Sequence, residues 1–477
     1  MAHAAVSLSS GSAEFDLVIV GGGSAAFAAA IKGSELGARV AMVEGGTLGG
    51  TCVNVGCVPS KTLIRAAEAR HRRVHHGFAG ISATDGPADW SVIRGEKDAL
   101  VGQLRQGKYW DVLKSYDSVT LFGQRGILTG PRAVRLADGR TLGAGKIVVA
   151  TGAGPDTPFL PGLAEAGYLD NVSAMALDRL PESLLVIGSG FIAVELGQMF
   201  ARLGVLVTIL ARQDRLLTRE DPEIGAGLTG YLRAEGIDVR TGTTVERVDR
   251  FGRYRVQVRR DDQSEVLEAD QLLVATGRRP RTTGFGLDAI GVTLGTKGEI
   301  VVDDHLETAI PGVYAAGDVV GEPMFVYVAA YEGALAAENA LRGNSRRLDL
   351  TAVPSVTFSD PAVASVGLTE AEARARSIKP LVSRLPMIHV PRSLAAHDTR
   401  GFIKLVADAA TSRIIGAQIL APEAGEMITE PVLAIRFGLT IEDIASTLHP
   451  YLTLSEGIKL ASLAFSKDVG RLSCCAA

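Results

Sequence analysis

With 477 residues the chain is long enough for about three domains, and its 47% hydrophobic and 21% charged content is that of an ordinary soluble globular protein. A net charge of −4 makes no electrostatic case for nucleic acid or an anionic membrane as partner. No apolar run reaches the roughly 18 residues that span a bilayer, and the opening stretch lacks the basic start and long apolar core of a signal peptide.

The first predicted strand is Phe15-Asp16-Leu17-Val18-Ile19-Val20. It runs into Gly21-Gly22-Gly23-Ser24-Ala25-Ala26, an alanine-rich helix to about Gly37, and a second strand from Arg39 to Val43 that ends at Glu44. This is G-x-G-x-x-A in its working context, with a strand before, a helix after and an acid about 20 residues on. Gly21 permits the tight turn, Gly23 lets the backbone approach a pyrophosphate, and Ala26 keeps the helix close to the strand. Unpaired N–H groups at the helix start suit phosphate. Glu44 can accept hydrogen bonds from a ribose diol.

Just beyond lies Gly49-Gly50-Thr51-Cys52-Val53-Asn54-Val55-Gly56-Cys57-Val58-Pro59-Ser60-Lys61, which puts a dithiol beside the first nucleotide. The only other cysteines are the vicinal pair Cys474-Cys475 at the chain's end. Four cysteines do not make a disulfide scaffold in a chain of this length; they fit a cytoplasmic protein with redox or metal chemistry. Consecutive Cα atoms lie about 3.8 Å apart, below the usual disulfide range of about 4.4–6.8 Å. The terminal pair is therefore expected to bind something soft rather than to close on itself. His71, His75 and His76 sit in an arginine-rich helical stretch and are read as a solvated face, not a metal cluster. His305 and His389 have no partner pattern.

A second nucleotide unit starts at Ser183-Leu184-Leu185-Val186-Ile187 and continues through Gly188-Ser189-Gly190-Phe191-Ile192-Ala193, a helix to about Leu203 and a strand from Val207 to Leu210. Here the strand ends in Ala211-Arg212, with Arg215 close behind. The acid that would hold a free 2′-hydroxyl is missing, and arginines can neutralise a 2′-phosphate instead, so NADPH is expected rather than NADH. Two such units imply two dinucleotides, or one nucleotide and one flavin. Ala150-Thr151-Gly152 and Ala275-Thr276-Gly277 each follow an apolar strand and read as loops where the chain changes nucleotide domain. Val313-Tyr314-Ala315-Ala316-Gly317-Asp318 is a strand into a Gly-Asp turn.

From about Leu350 the texture changes. Strands are predicted at Pro354–Phe358 and Ala362–Val366, with Thr369 capping a helix through Arg376. Gly401–Val406 and Ile414–Leu420 form an expected hairpin, followed by helices around Glu426–Phe437 and Ile441–Thr447. No glycine fingerprint occurs here, so this part is expected to be an α+β domain. The expected fold class is α/β, with two Rossmann-like dinucleotide-binding domains plus a C-terminal α+β domain. The expected boundaries are 1–150, 151–276, 277–348 and 349–477.

Together these motifs resemble the flavin-dependent pyridine nucleotide–disulfide oxidoreductases, from Asp16 onward. The Gly49–Lys61 stretch is specific for the branch with its dithiol in the FAD domain. The resemblance implies a homodimer with shared active sites, and an FAD, NADPH, FAD-return and dimerisation order. It assigns Gly21, Gly23, Ala26, Glu44, Gly50, Thr51, Thr151, Gly152 and Asp318 to FAD. It assigns Gly188, Gly190, Phe191, Ala193, Arg212, Arg215 and Gly277 to NADPH. Cys57 would lie next to the flavin as the charge-transfer thiolate, and Cys52 would be the interchange thiol. Lys61 would sit by the flavin N5, paired with Glu195. Phe191 stands where many relatives carry tyrosine, and can shield the flavin but not donate a hydrogen bond.

Disulfide-reducing relatives carry His-Pro-Thr-x-Ser-Glu near the C-terminus. Aligned on Thr453-Leu454-Ser455-Glu456, their histidine falls on Tyr451 here, and His449 lies two residues too early. With an unperturbed pKa near 10, against about 6.5 for histidine, tyrosine is a poor proton shuttle. The end of the chain, Pro450 through Gly457 and then Leu472 through Ala476, is similar to that of members that reduce Hg(II). Such a substrate is a soft cation that prefers thiolates. The resemblance then implies capture by Cys474 and Cys475 of the partner subunit, followed by transfer to Cys52 and Cys57. Small thiols would be the outside carriers. The short segment before the first strand is too small for an N-terminal Cys-x-x-Cys module, so delivery is expected to begin at the tail or from solution thiols. The alternatives are a disulfide reductase or lipoamide dehydrogenase, which Tyr451 disfavours, and a non-catalytic soft-metal-sequestering protein.

Overall fold

The computed structural model describes residues 13–84 and 86–472. The chain divides into two compact units, one of Met1–Val58, Ala99–Gly154 and Arg278–Leu348, the other of Pro59–Asp98, Pro155–Gly277 and Asp349–Ala477. No helix among the described residues is long and apolar enough to cross a membrane.

The first unit is built on a seven-stranded sheet. Its parallel part runs Val119–Phe122, Val40–Val43, Phe15–Val20, Thr141–Val149 and Val313–Ala315. Leu17, Val18 and Ile19 are wholly buried, as a central parallel strand with both faces covered requires. The long strand Thr141–Val149 then turns into an antiparallel ladder with Ala133–Leu136 and Gly126–Gly130. Helices Ser24–Glu35 and Val326–Arg342 pack against each other through small residues, Ala25, Ala26 and Ala29 among them. The approach is so close that a Cβ at Gly333 would overlap the carbonyl of Ala25.

In the second unit a four-stranded parallel sheet runs Asp238–Arg240, Leu206–Leu210, Ser183–Ile187 and Gln271–Val274. A three-stranded antiparallel meander, Thr243–Phe251, Arg253–Arg260 and Gln263–Ala269, accompanies it. The third sheet is five-stranded and antiparallel, in the order Ser355–Thr357, Ala362–Gly367, Ile414–Ala421, Phe402–Asp408 and Pro380–Pro386. The expected α/β class with an α+β C-terminal part is what forms. The Phe402–Asp408 and Ile414–Ala421 hairpin is present. Thr369 caps Glu370–Ala375 through a capping box in which its hydroxyl accepts the Glu372 N–H and Glu372 accepts the Thr369 N–H.

Three expectations need correction. The helix expected over Glu426–Phe437 is split into Ala424–Met427 and Thr429–Phe437. Pro431 explains the break, because it has no N–H to donate to the carbonyl four residues earlier. Of the three histidines in and just after the Cys57–Val74 helix, His75 is exposed as expected, whereas His71 and His76 are half-buried. His71 stacks on His75 with ring centroids 4.2 Å apart, and burial, followed by the charge of Arg202, pulls its pKa down to about 4. Both ring nitrogens of His76 are buried without a hydrogen-bond partner among the described residues. His305 does have a partner, since its Nδ1 lies 2.9 Å from Asp304.

Candidate functional site

In the first unit, Gly21 has φ +134°, and a Cβ there would overlap the carbonyl of Ala150. Only glycine fits that turn. Gly23 caps the helix that follows, and Glu44 closes the next strand with its Oε1 accepting the Gly46 N–H at 2.6 Å. The dithiol segment is docked on this turn. Gly49 donates its N–H to Gly22 O at 2.8 Å. A Cβ on Gly50, at φ +64°, would come within 2.6 Å of Gly23 Cα.

Cys52 lies in the short helix Gly50–Val55, which Gly56 ends, and Cys57 opens the helix Cys57–Val74. Both cysteines are half-buried. A cysteine at a helix N-terminus faces the positive end of the peptide dipoles, which favours its thiolate. Asn54 stiffens the segment by donating to Leu48 O and Gly50 O, both at 2.9 Å.

Sequence reasoning missed two tyrosines beside these sulfurs. Burial, and then the charge of Cys52, push the Tyr109 phenol above its ordinary value. Burial, and then Cys57, do the same to Tyr327. Both rings come from segments far away in the chain, and no local pattern marks them.

Thr151 and Gly152 sit where the chain passes Arg281. The Thr151 hydroxyl donates to Arg281 O at 2.7 Å, and Arg281 donates its N–H to Gly152 O at 2.8 Å. Asp318 follows Gly317, whose φ is +80°, and its Oδ2 lies 3.5 Å from Arg278. Beneath that turn is another residue the sequence did not single out. Glu332, 3% exposed, accepts the Gly317 N–H at 2.7 Å, and burial pushes its carboxyl up to about 7. These residues fit a dinucleotide: the turn excludes a side chain, offers helix N–H groups to phosphate and carries an acid at ribose distance in sequence.

The second unit repeats the device. Gly188 has φ +145°, and a Cβ would overlap Ala275 O, as at Gly21 and Ala150. Gly190 caps the helix Phe191–Arg202, whose Ala193 is fully buried. Arg212 is exposed beyond the strand Leu206–Leu210. Arg215 holds a buried Nε with no hydrogen-bond partner among the described residues, and its terminal nitrogens donate to Asp214 Oδ1 at 3.3 Å and Thr218 O at 3.4 Å. Gly277 has φ +155° and its carbonyl accepts the Asp156 N–H at 3.0 Å.

Phe191, 40% exposed, stands one helical turn before Glu195, which is 3% exposed. Glu195 Oε2 meets Lys61 Nζ at 2.6 Å. Its Oε1 accepts the backbone N–H of Phe358 at 2.9 Å, and the Phe358 ring lies 4.7 Å from Lys61 Nζ. The pair is thus buried at the acid and only partly exposed at the amine, and Phe358 is a contributor that the sequence did not single out.

Near the C-terminus, His449 is turned inward. Its Nε2 lies 2.8 Å from Glu430 and its Nδ1 3.0 Å from Thr447 O, with the side chain 5% exposed. Tyr451 is 48% exposed instead, on a turn where Leu452 has φ +60° and donates its N–H to Glu456 at 3.2 Å. Cys474 and Cys475 lie outside the described residues.

The family model described as pyridine nucleotide-disulphide oxidoreductase matches residues 15–333, and that of the family's dimerisation domain matches residues 353–462. A mercuric reductase of Staphylococcus aureus is 46% identical over 428 residues, covering 90% of this chain and 78% of that protein. One of Streptomyces lividans is 47% identical, covering 90% of this chain and 91% of its own. Among solved structures, the HOCl-induced flavoprotein disulfide reductase RclA of Escherichia coli matches with a TM-score of 0.83 at 29% identity, over 94% of this chain and 99% of that one. The chain belongs to the pyridine nucleotide-disulphide oxidoreductase family.

Proposed function

We propose that the protein is an NADPH-dependent mercury(II) reductase that works as a homodimer. The observation that carries this reading is the docking of the Cys52–Cys57 segment on the first nucleotide turn, Gly49 N–H to Gly22 O, in a chain 46% identical to a mercuric reductase. FAD would be held by Gly21, Gly23, Ala26, Glu44, Gly50, Thr51, Thr151, Gly152 and Asp318. NADPH would be held by Gly188, Gly190, Ala193, Arg212, Arg215 and Gly277, with Phe191 shielding the nicotinamide side. The segments 1–150 and 277–348 would form the FAD domain, 151–276 the NADPH domain and 349–477 the dimerisation domain.

When bound, FAD would supply two-electron transfer between a nicotinamide hydride and the sulfur and metal centre. The chain's own part is to hold those reactants. Cys57, at its helix N-terminus, is stabilised as a thiolate, and Cys52 completes a two-sulfur set for a soft cation. Lys61, fixed by Glu195, supplies a positive charge where negative charge develops during reduction. Hg(II) takes up two electrons and leaves as Hg(0), and both sulfurs return as thiolates. Tyr451 of the partner subunit, exposed where disulfide-reducing relatives keep a histidine, would line the entry route, a poor proton shuttle whose O–H can still donate to a thiolate or help hold the metal–thiolate complex. Cys474 and Cys475 of the partner subunit would take Hg(II) from small thiols and hand it on by thiolate exchange. A cytoplasmic setting fits the NADPH supply and the reduced thiols this needs.

The test is NADPH oxidation that depends on Hg(II) and releases volatile metal. Fast oxidation of dihydrolipoamide with no mercury-dependent turnover would overturn the reading in favour of disulfide chemistry. Mercury binding without sustained NADPH consumption would overturn it in favour of sequestration. The variant Cys474→Ala/Cys475→Ala should keep flavin reduction by NADPH and lose turnover on thiol-bound mercury.

A further inference from the structure

The segment Ala211–Glu220 carries both arginines assigned to the NADPH 2′-phosphate. It is tied down at several points. Ala211 O accepts the Thr243 N–H at 2.9 Å, and Gln213 O accepts the Gly242 N–H at 2.7 Å. Leu217 donates its N–H to Ser189 O, inside the second fingerprint, at 2.8 Å. One side of Arg215 is set by the helix that follows, Pro222–Ala234. At Gly225 that helix passes so close that a Cβ would overlap Leu216 O and lie 3.3 Å from Arg215 Cδ.

The first turn of this helix is gripped from the five-stranded sheet. Asp221 caps it by accepting the Glu223 N–H at 2.9 Å. Lys404, on the strand Phe402–Asp408, reaches Asp221 at 2.9 Å and Glu223 at 2.8 Å. Lys404 is 6% and Asp221 4% exposed at the side chain, so this pairing is made out of water, where charges interact strongly. Arg384, on the neighbouring strand, meets Glu223 at 2.8 Å. Farther along, Tyr231 OH accepts the Gly401 N–H at 2.8 Å, and a Cβ at Gly227 would lie 2.8 Å from Leu420 Cδ2. The body of the helix is therefore seated independently of Lys404, whose own share is the first turn, four residues before Gly225.

We propose that Lys404 is a positioning residue for 2′-phosphate recognition: its grip on Asp221 and Glu223 holds the helix turn that keeps Arg215 in place. This rests on the assignment of Arg212 and Arg215 to the 2′-phosphate. Lys404 touches no nucleotide itself and acts through the helix. Its loss would lower the preference for the phosphorylated ribose and leave the rest of the nucleotide's contacts as they are.

The experiment uses the FAD-loaded protein and measures binding of 2′,5′-ADP and of 5′-AMP by calorimetry, with steady-state constants for NADPH and NADH. Lys404→Met is expected to weaken 2′,5′-ADP by roughly tenfold, a size usual for coupling through packed neighbours. Binding of 5′-AMP should hold, KM for NADPH should rise, and kcat should stay. Glu223→Gln, whose side chain is 43% exposed and so tolerates change, should move the same ratio in the same direction by less. An unchanged 2′,5′-ADP to 5′-AMP ratio in Glu223→Gln, and in Lys404→Met where it folds, overturns the inference. Arg215→Ala separates the two layers. If it collapses the ratio while the other variants do not, only the positioning role falls; if it too leaves the ratio intact, the 2′-phosphate assignment falls with it.

Discussion

Glu195 divides its carboxylate between two partners, Lys61 Nζ at 2.6 Å on Oε2 and the Phe358 N–H at 2.9 Å on Oε1. The acid is 3% exposed, so removing either partner leaves a buried group short of compensation. Lys61→Met leaves a buried carboxylate with one neutral donor and should cost about 3 kcal/mol. Glu195→Gln keeps an acceptor for Phe358 and should cost less. The double variant should be more stable than Lys61→Met alone, as read from urea unfolding. Strictly additive losses would mean that the two side chains are not coupled.

Tyr327 and Tyr109 both have phenols held above their ordinary values, first by burial and then by the cysteines. They stay protonated at neutral pH, and a phenol O–H near a sulfur can donate to its thiolate. Removing one such donor is worth about 1 kcal/mol, which is roughly 0.7 of a pKa unit. Tyr327→Phe should therefore raise the apparent pKa of Cys57 by about that much. The check is the pH dependence of alkylation in NADPH-reduced protein, and an unmoved titration curve would remove Tyr327 from the thiolate's surroundings.

What the sequence revealed and what it concealed differ in range. Gly21 and Gly188 are legible because each sits between an apolar strand and a helix, where positive φ and a tight approach demand glycine. The Cys52–Cys57 spacing is legible for the same local reason. Phe358, Tyr109, Tyr327 and Glu332 are not, since each gains its role only by meeting a residue far away in the chain. An arginine-rich helix looks solvated, yet His71 is half-buried, so desolvation and then the charge of Arg202 lower its pKa. Residues 59–98 belong to the second compact unit although they directly follow the dithiol, a division that only non-local packing reveals.

Glu332 gives stability a pH signature. Burial raises its carboxyl from 4.5 to about 7, with Asp318 adding to the rise and the Gly317 N–H opposing it. Between these values the folded chain holds a proton that the unfolded chain has released. Stability from this group is therefore present at low pH, falls as pH rises through the window, and levels off above about 7. The full effect is about 3 kcal/mol. Glu332→Gln keeps an acceptor for Gly317 and removes the titration. It should match the parent at pH 5 and exceed it by roughly 2 kcal/mol at pH 8. Parallel stability curves for parent and variant would contradict this.

Gly50 tests whether the dithiol segment is truly seated on the nucleotide turn. At φ +64° any side chain pays a backbone cost of about 1–2 kcal/mol. A Cβ there also presses on Gly23 Cα at 2.6 Å, and backbone cannot swing aside as a side chain can. Gly37 is the matching control, with φ +78° and nothing within 4 Å of its Cβ position. Gly37→Ala should lose only the backbone term and retain its flavin. Gly50→Ala should lose more, because alanine must push Gly23 out of the place proposed for the pyrophosphate's approach. Flavin retained per chain after gel filtration, read by absorbance, should drop in Gly50→Ala and hold in Gly37→Ala. If the two variants lose equal stability and keep equal flavin, the contact with Gly23 contributes nothing, and Cys52 and Cys57 are positioned by some other part of the first unit.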